Sequence, residues 1–384
     1  MPSRVTRKTT KGVIHMKLII SKSNLLSGLQ IASKAVSNKT TMSILECIMV
    51  DATKGIITLT GNDMDLGIET IIEGEIVEKG AIALDAKIFL EIVRKLPDSE
   101  ITIETDSSYK TTITCEKAKF TIIGKSGEDF SYLPIVERDD SIVVSQFTLK
   151  EVVRQTIFAI SDNDNNKLMT GELFEIKDDV LRVVALDGFR VSIRKIQLRE
   201  AYSPKKVVVP GKTVNEVSKI LPGNADSFVT ISFTPKHIVF EFDNTTVVSR
   251  LIEGEYFKID QMLSNDYETK VKVNKKELLS CIDRATLLVK EGDKKPIIIN
   301  FLDESMELKI NSILGSMNED IDIEKQGKDL MIGFNPKFMI DALRVIDDEE
   351  VDLYMVNSKA PCFIKNEEES YIYMILPVNF INVQ

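Results

Sequence analysis

Apolar positions recur at helical spacing in six stretches of this 384-residue chain, and the six fall into three pairs. In residues 148–160, Leu149, Val152, Val153, Ile157 and Ile160 follow the i, i+3, i+4, i+8, i+11 spacing of an amphipathic helix. Residues 22–36 place Leu25, Leu26, Leu29, Ala32 and Val36 on one face, and residues 274–290 repeat the pattern with Leu278, Leu279, Ile282, Ala285 and Val289. Thr148 and Asn274 are the expected N-caps. A second kind of segment also occurs three times, at a spacing of about 125 residues: 85–97 (DAKIFLEIVRKLP), 210–222 (PGKTVNEVSKILP) and 335–346 (NPKFMIDALRVI). Its apolar positions coincide: Phe89, Val214 and Met339; Ile92, Val217 and Ala342; Leu96, Leu221 and Ile346. So do two basic positions, Lys87, Lys212 and Lys337, then Arg94, Lys219 and Arg344. At 100° per residue the two basic positions fall almost opposite the apolar ones. A solvated face needs polar residues, but not the same basic residues at the same two places three times.

Between the helical segments the pattern changes to short, β-branched, often alternating runs. Residues 55–60, 100–104, 119–123, 180–185, 206–209, 229–233, 237–242 and 296–301 are examples, separated by Gly, Asp, Asn or Ser turns. The unit is helix, several strands, helix, several strands, which predicts an α+β fold with helices on one face of antiparallel sheets. Gly127-Glu-Asp-Phe130 and Gly254-Glu-Tyr-Phe257 mark similar junctions. The expected domains are 16–139, 140–262 and 263–384, each large enough to hold its own core. Residues 1–15 (MPSRVTRKTTKGVIH), basic and polar, are expected to lie outside the fold as a disordered leader, an upstream start or an expression remnant.

Composition adds two points. The net formal charge is −10, yet the six helical segments together carry +8, so −18 resides in the rest. A fold that groups the helices therefore gives a basic lining in an acidic body, and a polyanion responds to local potential. The four cysteines, Cys47, Cys115, Cys281 and Cys362, are far apart with no C-x-x-C pair, the usage of reduced, buried thiols in a cytosolic protein. The longest apolar run, residues 371–378, is far too short to span a membrane.

Catalytic signals are weak. The two histidines, His15 and His237, argue against His-centred catalysis or a His-rich metal site, and no Walker loop, Rossmann glycine fingerprint or G-x-S-x-G elbow occurs. The run Asp162-Asn-Asp164-Asn-Asn166 starts like a calcium loop, but Lys167 stands where the sixth position needs Gly and Leu173 where the twelfth needs Glu. Asn62-Asp-Met-Asp65 reads as a polar turn after a strand, with a metal site at Asp63 and Asp65 as a remote alternative. No catalytic residue, cofactor or metal is expected.

Several segments in order resemble the β subunit of bacterial DNA polymerase III, the β sliding clamp family, over residues 16–380. They include Thr58-Leu-Thr-Gly61 with Asp63, Arg94-Lys-Leu-Pro97, Thr170-Gly-Glu-Leu-Phe174, Ala185-Leu-Asp-Gly-Phe-Arg190 and Val207-Val-Val-Pro210. Ser249-Arg-Leu-Ile-Glu-Gly254, Ile332-Gly-Phe-Asn-Pro336 and Tyr373-Met-Ile-Leu-Pro377 complete the series. The resemblance implies a non-catalytic processivity factor: a cytoplasmic head-to-tail homodimer of three-domain chains, closed as a ring around duplex DNA and read without regard to sequence. It also implies partners: the replicative polymerase, the clamp loader and repair proteins that carry short clamp-binding peptides, with no membrane.

By position, the resemblance carries DNA contact to Lys39, Arg94 and Lys212, and the repeat adds Lys87, Lys219, Lys337 and Arg344. It places Leu287 and Leu288 at the subunit interface, facing Phe120 and Ile122. Its peptide pocket maps to Met169, Leu186, Gly188, Phe189, Arg190, Val191, Phe257, Gln261, Met262 and Pro361, with Met374, Ile375, Leu376, Pro377, Val378, Asn379 and Phe380. Phe189 stands where the family commonly has His, residues 258–263 (KIDQML) lack the family's usual Pro-Asp-Tyr and basic residues, and Asn379 replaces a common Arg. These departures touch the pocket. Two alternatives remain at this point: a clamp-like protein-binding scaffold that does not encircle DNA, and a divergent second clamp.

Overall fold

The computed structural model describes residues 15–37, 40–163, 165–289 and 295–380. Six helices form where the periodicity places them: α1 (Lys22–Ala32), α2 (Ala86–Lys95), α3 (Gln146–Thr156), α4 (Gly211–Ile220), α5 (Lys275–Thr286) and α6 (Pro336–Val345). Short polar side chains start most of them by accepting an otherwise orphaned backbone N–H. Ser21 accepts from Asn24 at 3.3 Å, Asp85 from Ile88 at 2.8 Å, Asn274 from Glu277 at 3.1 Å and Asn335 from Lys337 at 3.0 Å. Helix α3 begins earlier than expected. Ser145 is its cap, accepting from Thr148 at 3.0 Å, so Thr148 is already helical. The long first helices of the sequence reading end early, because the chain tightens into 3-10 turns at Ser33–Ala35 and Ile157–Ala159.

The chain divides into two compact units, Met1–Ser141 with Val229–Arg250, and Ile142–Phe228 with Leu251–Gln384. In the first, an antiparallel sheet runs in the order Glu75–Glu78, Met16–Ser21, Glu100–Thr105, Lys110–Cys115, Ala118–Ile123. Helices α1 and α2 bury Leu25, Leu29, Phe89 and Val93 with Leu18, Ile20, Leu59 and Ile103. A second sheet joins Ala81–Asp85, Cys47–Asp51, Ile57–Asn62, Leu66–Ile72, Thr245–Arg250 and His237–Phe242. Its seam pairs Val247 with Ile68 and Thr245 with Thr70, whose hydroxyls lie 2.9 Å apart in the interior. This pairing explains why residues 229–250, central in the sequence, fold with the first unit.

The second unit is built on a hairpin of Gly171–Leu186 and Arg190–Pro210. The sequence predicts only its two apolar ends, because the alternation breaks where the register shifts between Ile176 and Val180. The sheet continues through Tyr371–Ile375, Cys362–Lys365, Glu350–Met355, Thr269–Asn274 and Glu324–Gly327. A four-stranded sheet, Gly315–Asp322, Ser305–Ser312, Ile297–Phe301 and Leu330–Phe334, completes it. Leu278 and Ile282 of α5 and Met339 and Leu343 of α6 share one core with Ile299, Phe301, Ile332 and Leu353.

Candidate functional site

The repeated basic positions emerge on solvent. Lys87, Arg94, Lys212, Lys219, Lys337 and Arg344 are all exposed, while Phe89, Val93, Val214, Val217, Met339 and Leu343 on the same helices are buried. The later position is partly neutralised each time: Arg94 pairs with Glu91, Lys219 with Glu216 at 2.8 Å, and Arg344 with Asp283 at 3.4 Å. Lys87 and Lys337 make no ion pair among the described residues. On α2 and α6 the first position, Lys87 and Lys337, is thus the stronger candidate for phosphate. Lys39 lies outside the described residues.

Sequence reasoning missed a second basic repeat. Lys22 donates to the carbonyl of Leu96, Lys150 to that of Leu221 at 3.2 Å, and Lys275 to that of Ile346 at 2.6 Å. Each lysine belongs to the first helix of a pair and satisfies an orphan carbonyl at the end of the second, where the helix dipole favours a cation. The three pairs are therefore locked in the same way.

The residues expected at a peptide pocket separate into three groups. Leu186, Val191 and Met374 are buried in one apolar cluster, against which Met169, Phe257 and Leu376 pack half-buried. The strand pairing that aligns Val191 with Met374, and the bond from Leu376 N to Phe189 O at 2.9 Å, bring them together. Ile375 corrects the expectation. Side chains alternate along a strand, so it faces the opposite side and is buried in the core with α5 and α6. Gln261, the last residue of the 3-10 turn Ile259–Gln261, and Met262 after it are exposed, and Pro361 is half-buried beside Cys362, which pairs with Ile375. Val378 and Phe380 fold over the Leu330–Phe334 strand: Val378 N donates to Gly333 O at 2.8 Å. A Cβ on Gly333 would stand 2.8 Å from the Phe380 ring, so this tail needs glycine there. Pro377 is half-buried and Asn379 exposed in the same tail.

The turn between the hairpin strands forms the third group. Gly188 has φ +89°, a left-handed conformation that suits glycine. Asp187 accepts from the backbone of Phe189 at 2.9 Å and from the Arg190 Nε at 3.0 Å. Arg190 is buried rather than held out to solvent. Its guanidinium donates to Asp341 of α6 at 2.7 Å and to Phe158 O at 2.6 Å, and lies 4.5 Å from the Phe338 ring centroid. Phe189 is 61% exposed and stacks on Phe338 at 6.3 Å. Beside it opens a cleft of about 1010 Å³, lined by Phe158, Phe189, Phe338, Arg190, Lys212 and Lys337 among others. Phe158 and Phe338 carry no sequence signal beyond being aromatic, and only the fold shows their role.

At the candidate interface, Phe120 is 41% exposed on Ala118–Ile123, the edge strand of its sheet, and Ile122 packs half-buried on its own core. Leu287 is 78% exposed, while Leu288 packs against the core of α5 and α6. Gly315–Asp322 is an edge strand too. The turn at Asp63 is self-satisfied, its carboxylate accepting from Leu66 N at 2.7 Å and Asp65 N at 3.1 Å. No helix among the described residues is long and apolar enough to cross a membrane.

Comparison with known proteins gives the family of the chain. Family profiles for the DNA polymerase III β subunit match in order: the N-terminal domain at residues 16–134, the central domain at 143–258 and the C-terminal domain at 260–379. The β sliding clamp of Staphylococcus epidermidis is 33% identical over 374 residues, covering 94% of this chain and 99% of that protein. A solved structure from Eubacterium rectale, ascribed to a DNA polymerase III β subunit, superposes with a TM-score of 0.93 at 73% identity, covering 95% of this chain and all of that one. The DNA polymerase sliding clamp of Bacillus subtilis gives 0.92 at 34% identity over 96% of this chain and all of its own.

Proposed function

The chain belongs to the DNA polymerase III β subunit family of sliding clamps, and from that premise we propose that it encircles duplex DNA as a cytoplasmic head-to-tail dimer and tethers replication and repair proteins. The observation that carries the proposal is the exposed Lys87, Lys212 and Lys337, set at one position on three equivalent helices whose opposite faces are buried. Lysine contacts to phosphate attract DNA without reading its bases, typically at ~10⁻⁴–10⁻⁶ M. Such contacts are weak enough for the protein to move along the duplex, and residence then comes from topology rather than affinity.

Two unlike edges support closure. Ala118–Ile123 offers an unpaired backbone edge with Phe120 and Ile123, with Lys119 in the strand and Lys117 just before it. Gly315–Asp322 offers another with Asp320 and Asp322, Glu319 being already paired with Arg284, close in sequence to the exposed Ile313 and Leu314. Opposite charges on the two edges favour pairing of one with the other over self-pairing. Contacts of that heterologous kind form rings when the rotation closes. The aromatic cleft at Phe189 and Phe338, with the apolar cluster around Met374, supports docking of a short peptide from the polymerase, the loader or a repair protein.

The test uses Lys87→Glu, Lys212→Glu and Lys337→Glu together, loaded on nicked circular DNA and followed before and after linearisation. The expected result is a wild-type protein retained on circles and lost from linear DNA, and a charge-reversed variant that folds normally yet loads and persists poorly. Equal retention of both proteins on both substrates would remove the encircling function.

A further inference from the structure

Twice within the chain, the last strand of one repeat pairs with a strand of the repeat before it, and both joints keep one register. In the first joint Leu66–Ile72 pairs with Thr245–Arg250, so that Thr70 lies opposite Thr245 and Ile68 opposite Val247. In the second, Arg190–Pro210 pairs with Tyr371–Ile375, with Arg194 opposite Tyr371 and Ser192 opposite Tyr373. Five residues on from Thr245 and Tyr371, the same backbone bond ends each joint. Arg250 N donates to Asp65 O and Leu376 N to Phe189 O, both at 2.9 Å.

The two strands that stay at sheet edges are the same two strands of the repeat. Lys110–Cys115 and Ala118–Ile123 form a hairpin with Lys110 opposite Ile123, as His237–Phe242 and Thr245–Arg250 do with His237 opposite Arg250. Ala118 therefore stands at the place of Thr245. Gly315–Asp322 corresponds to Leu66–Ile72 through three successive ladders. Ile48 opposite Leu84 matches Ile297 opposite Phe334, and Leu84 and Phe334 each precede a helix cap. Met49 opposite Thr60 matches Ile298 opposite Lys309, and Leu59 opposite Thr70 matches Leu308 opposite Glu319. Glu319 therefore stands at the place of Thr70.

We propose that a second copy of this chain adds its Ala118–Ile123 to Gly315–Asp322 in the register of the internal joints, Ala118 of one copy opposite Glu319 of the other. This rests on the head-to-tail reading above and fixes which residues meet in it. The register comes from backbone pairing alone, yet the side chains it brings together match. Lys117 comes opposite Asp320, and Lys119 has the same carboxylate on its diagonal. Ile123, 71% exposed, covers Leu314, 53% exposed. On the core side of the strands Phe120 meets the half-buried Met317, a ring against a thioether. Ile122 comes over Gly315, where a Cβ would stand 3.9 Å from Leu288 Cδ2, so the missing side chain leaves Ile122 room against Leu288. Glu319, held by Arg284, faces only the small Ala118. A slip of two residues sets Phe120 on Glu319 in one direction, and in the other sets Lys117 on Asn318 and Lys119 on Ser316. A slip of one turns the apolar row to the wrong face.

Oxidative cross-linking of cysteine pairs in the full chain tests the register. The four native cysteines are buried and stay out of the reaction. Thr121→Cys with Ser316→Cys, both at exposed side chains, sets two thiols opposite each other across the joint, with Cα atoms ~5.5 Å apart and within reach of a disulfide. On mild oxidation this variant shifts from monomer to covalent dimer on a non-reducing denaturing gel. Thr121→Cys with Asn318→Cys, and Lys119→Cys with Ser316→Cys, each match a slipped register. Both sediment as dimers yet run as monomers on the gel. Cross-linking of a slipped pair in preference overturns the register and leaves the head-to-tail reading standing, as does a sedimenting dimer of the first variant that forms no cross-link. Cross-linking of Thr121→Cys alone means that like edges meet, which overturns both. Monomers by sedimentation from wild type and every variant do the same.

Discussion

Burial holds the Glu172 carboxyl in its neutral form, raised from the ordinary 4.5 to about 8. It is fully buried, both oxygens lack a hydrogen-bond partner of good geometry, and the neighbouring Thr156 hydroxyl is given to Val152 O at 2.8 Å. Between 4.5 and 8 the native state keeps a proton that the unfolded chain has released. Stability from this group is therefore complete below the lower value and falls as pH rises, by about 1.4 kcal/mol per unit, until the upper value is passed. Glu172→Gln removes that slope. Melting temperatures from pH 5 to 9 should fall more steeply for wild type than for the variant, and parallel curves would mean the carboxylate is solvated. Arg190 teaches the complementary lesson. Its resemblance to a pocket residue was legible, but its fixed place between Asp187, Asp341 and two rings was not, because those partners come from three separate segments.

The helix pairs are where sequence and structure agree most closely. Leu25 with Leu29, Val214 with Val217 and Met339 with Leu343 reach the core because a 3.6-residue period leaves a local mark. Contacts between distant segments leave none. Thr70 meets Thr245 across 175 residues, so the shared sheet that draws residues 229–250 into the first unit could not be read from either strand. The lysine caps were hidden for the same reason, with Lys275 and Ile346 separated by 71 residues. They also shift register between repeats: Lys22 and Lys275 open their helices, whereas Gln146 opens α3 and Lys150 reaches the carbonyl from four residues further on. Gln146 instead accepts from Gly223 N at 3.3 Å, just beyond the same helix end. Lys275→Met keeps the stem and removes the charge, so it should cost about 1 kcal/mol in denaturant unfolding. A change within error would show that water replaces the lysine at that carbonyl.

For the whole molecule, the proposed ring makes the exposed Leu287 the cleanest lever on assembly. The double change Leu287→Lys with Leu288→Lys also buries a charge against the protomer's own core, since Leu288 packs there, and so confuses folding with association. Leu287→Lys alone, at a side chain 78% exposed in the single chain, avoids that confusion. A head-to-tail ring contains the same contact twice, so any penalty per interface is doubled in the closed dimer. An unpaired lysine desolvated at each, at ~2 kcal/mol, weakens dimerisation by roughly a thousandfold. Sedimentation velocity at micromolar concentration should then show monomers with an unchanged melting temperature, and the variant should leave circular DNA as quickly as linear DNA. If Leu287→Lys sediments as a dimer, the contact lies elsewhere. If it sediments as a monomer yet stays on circles, residence rests on the basic helices and not on closure.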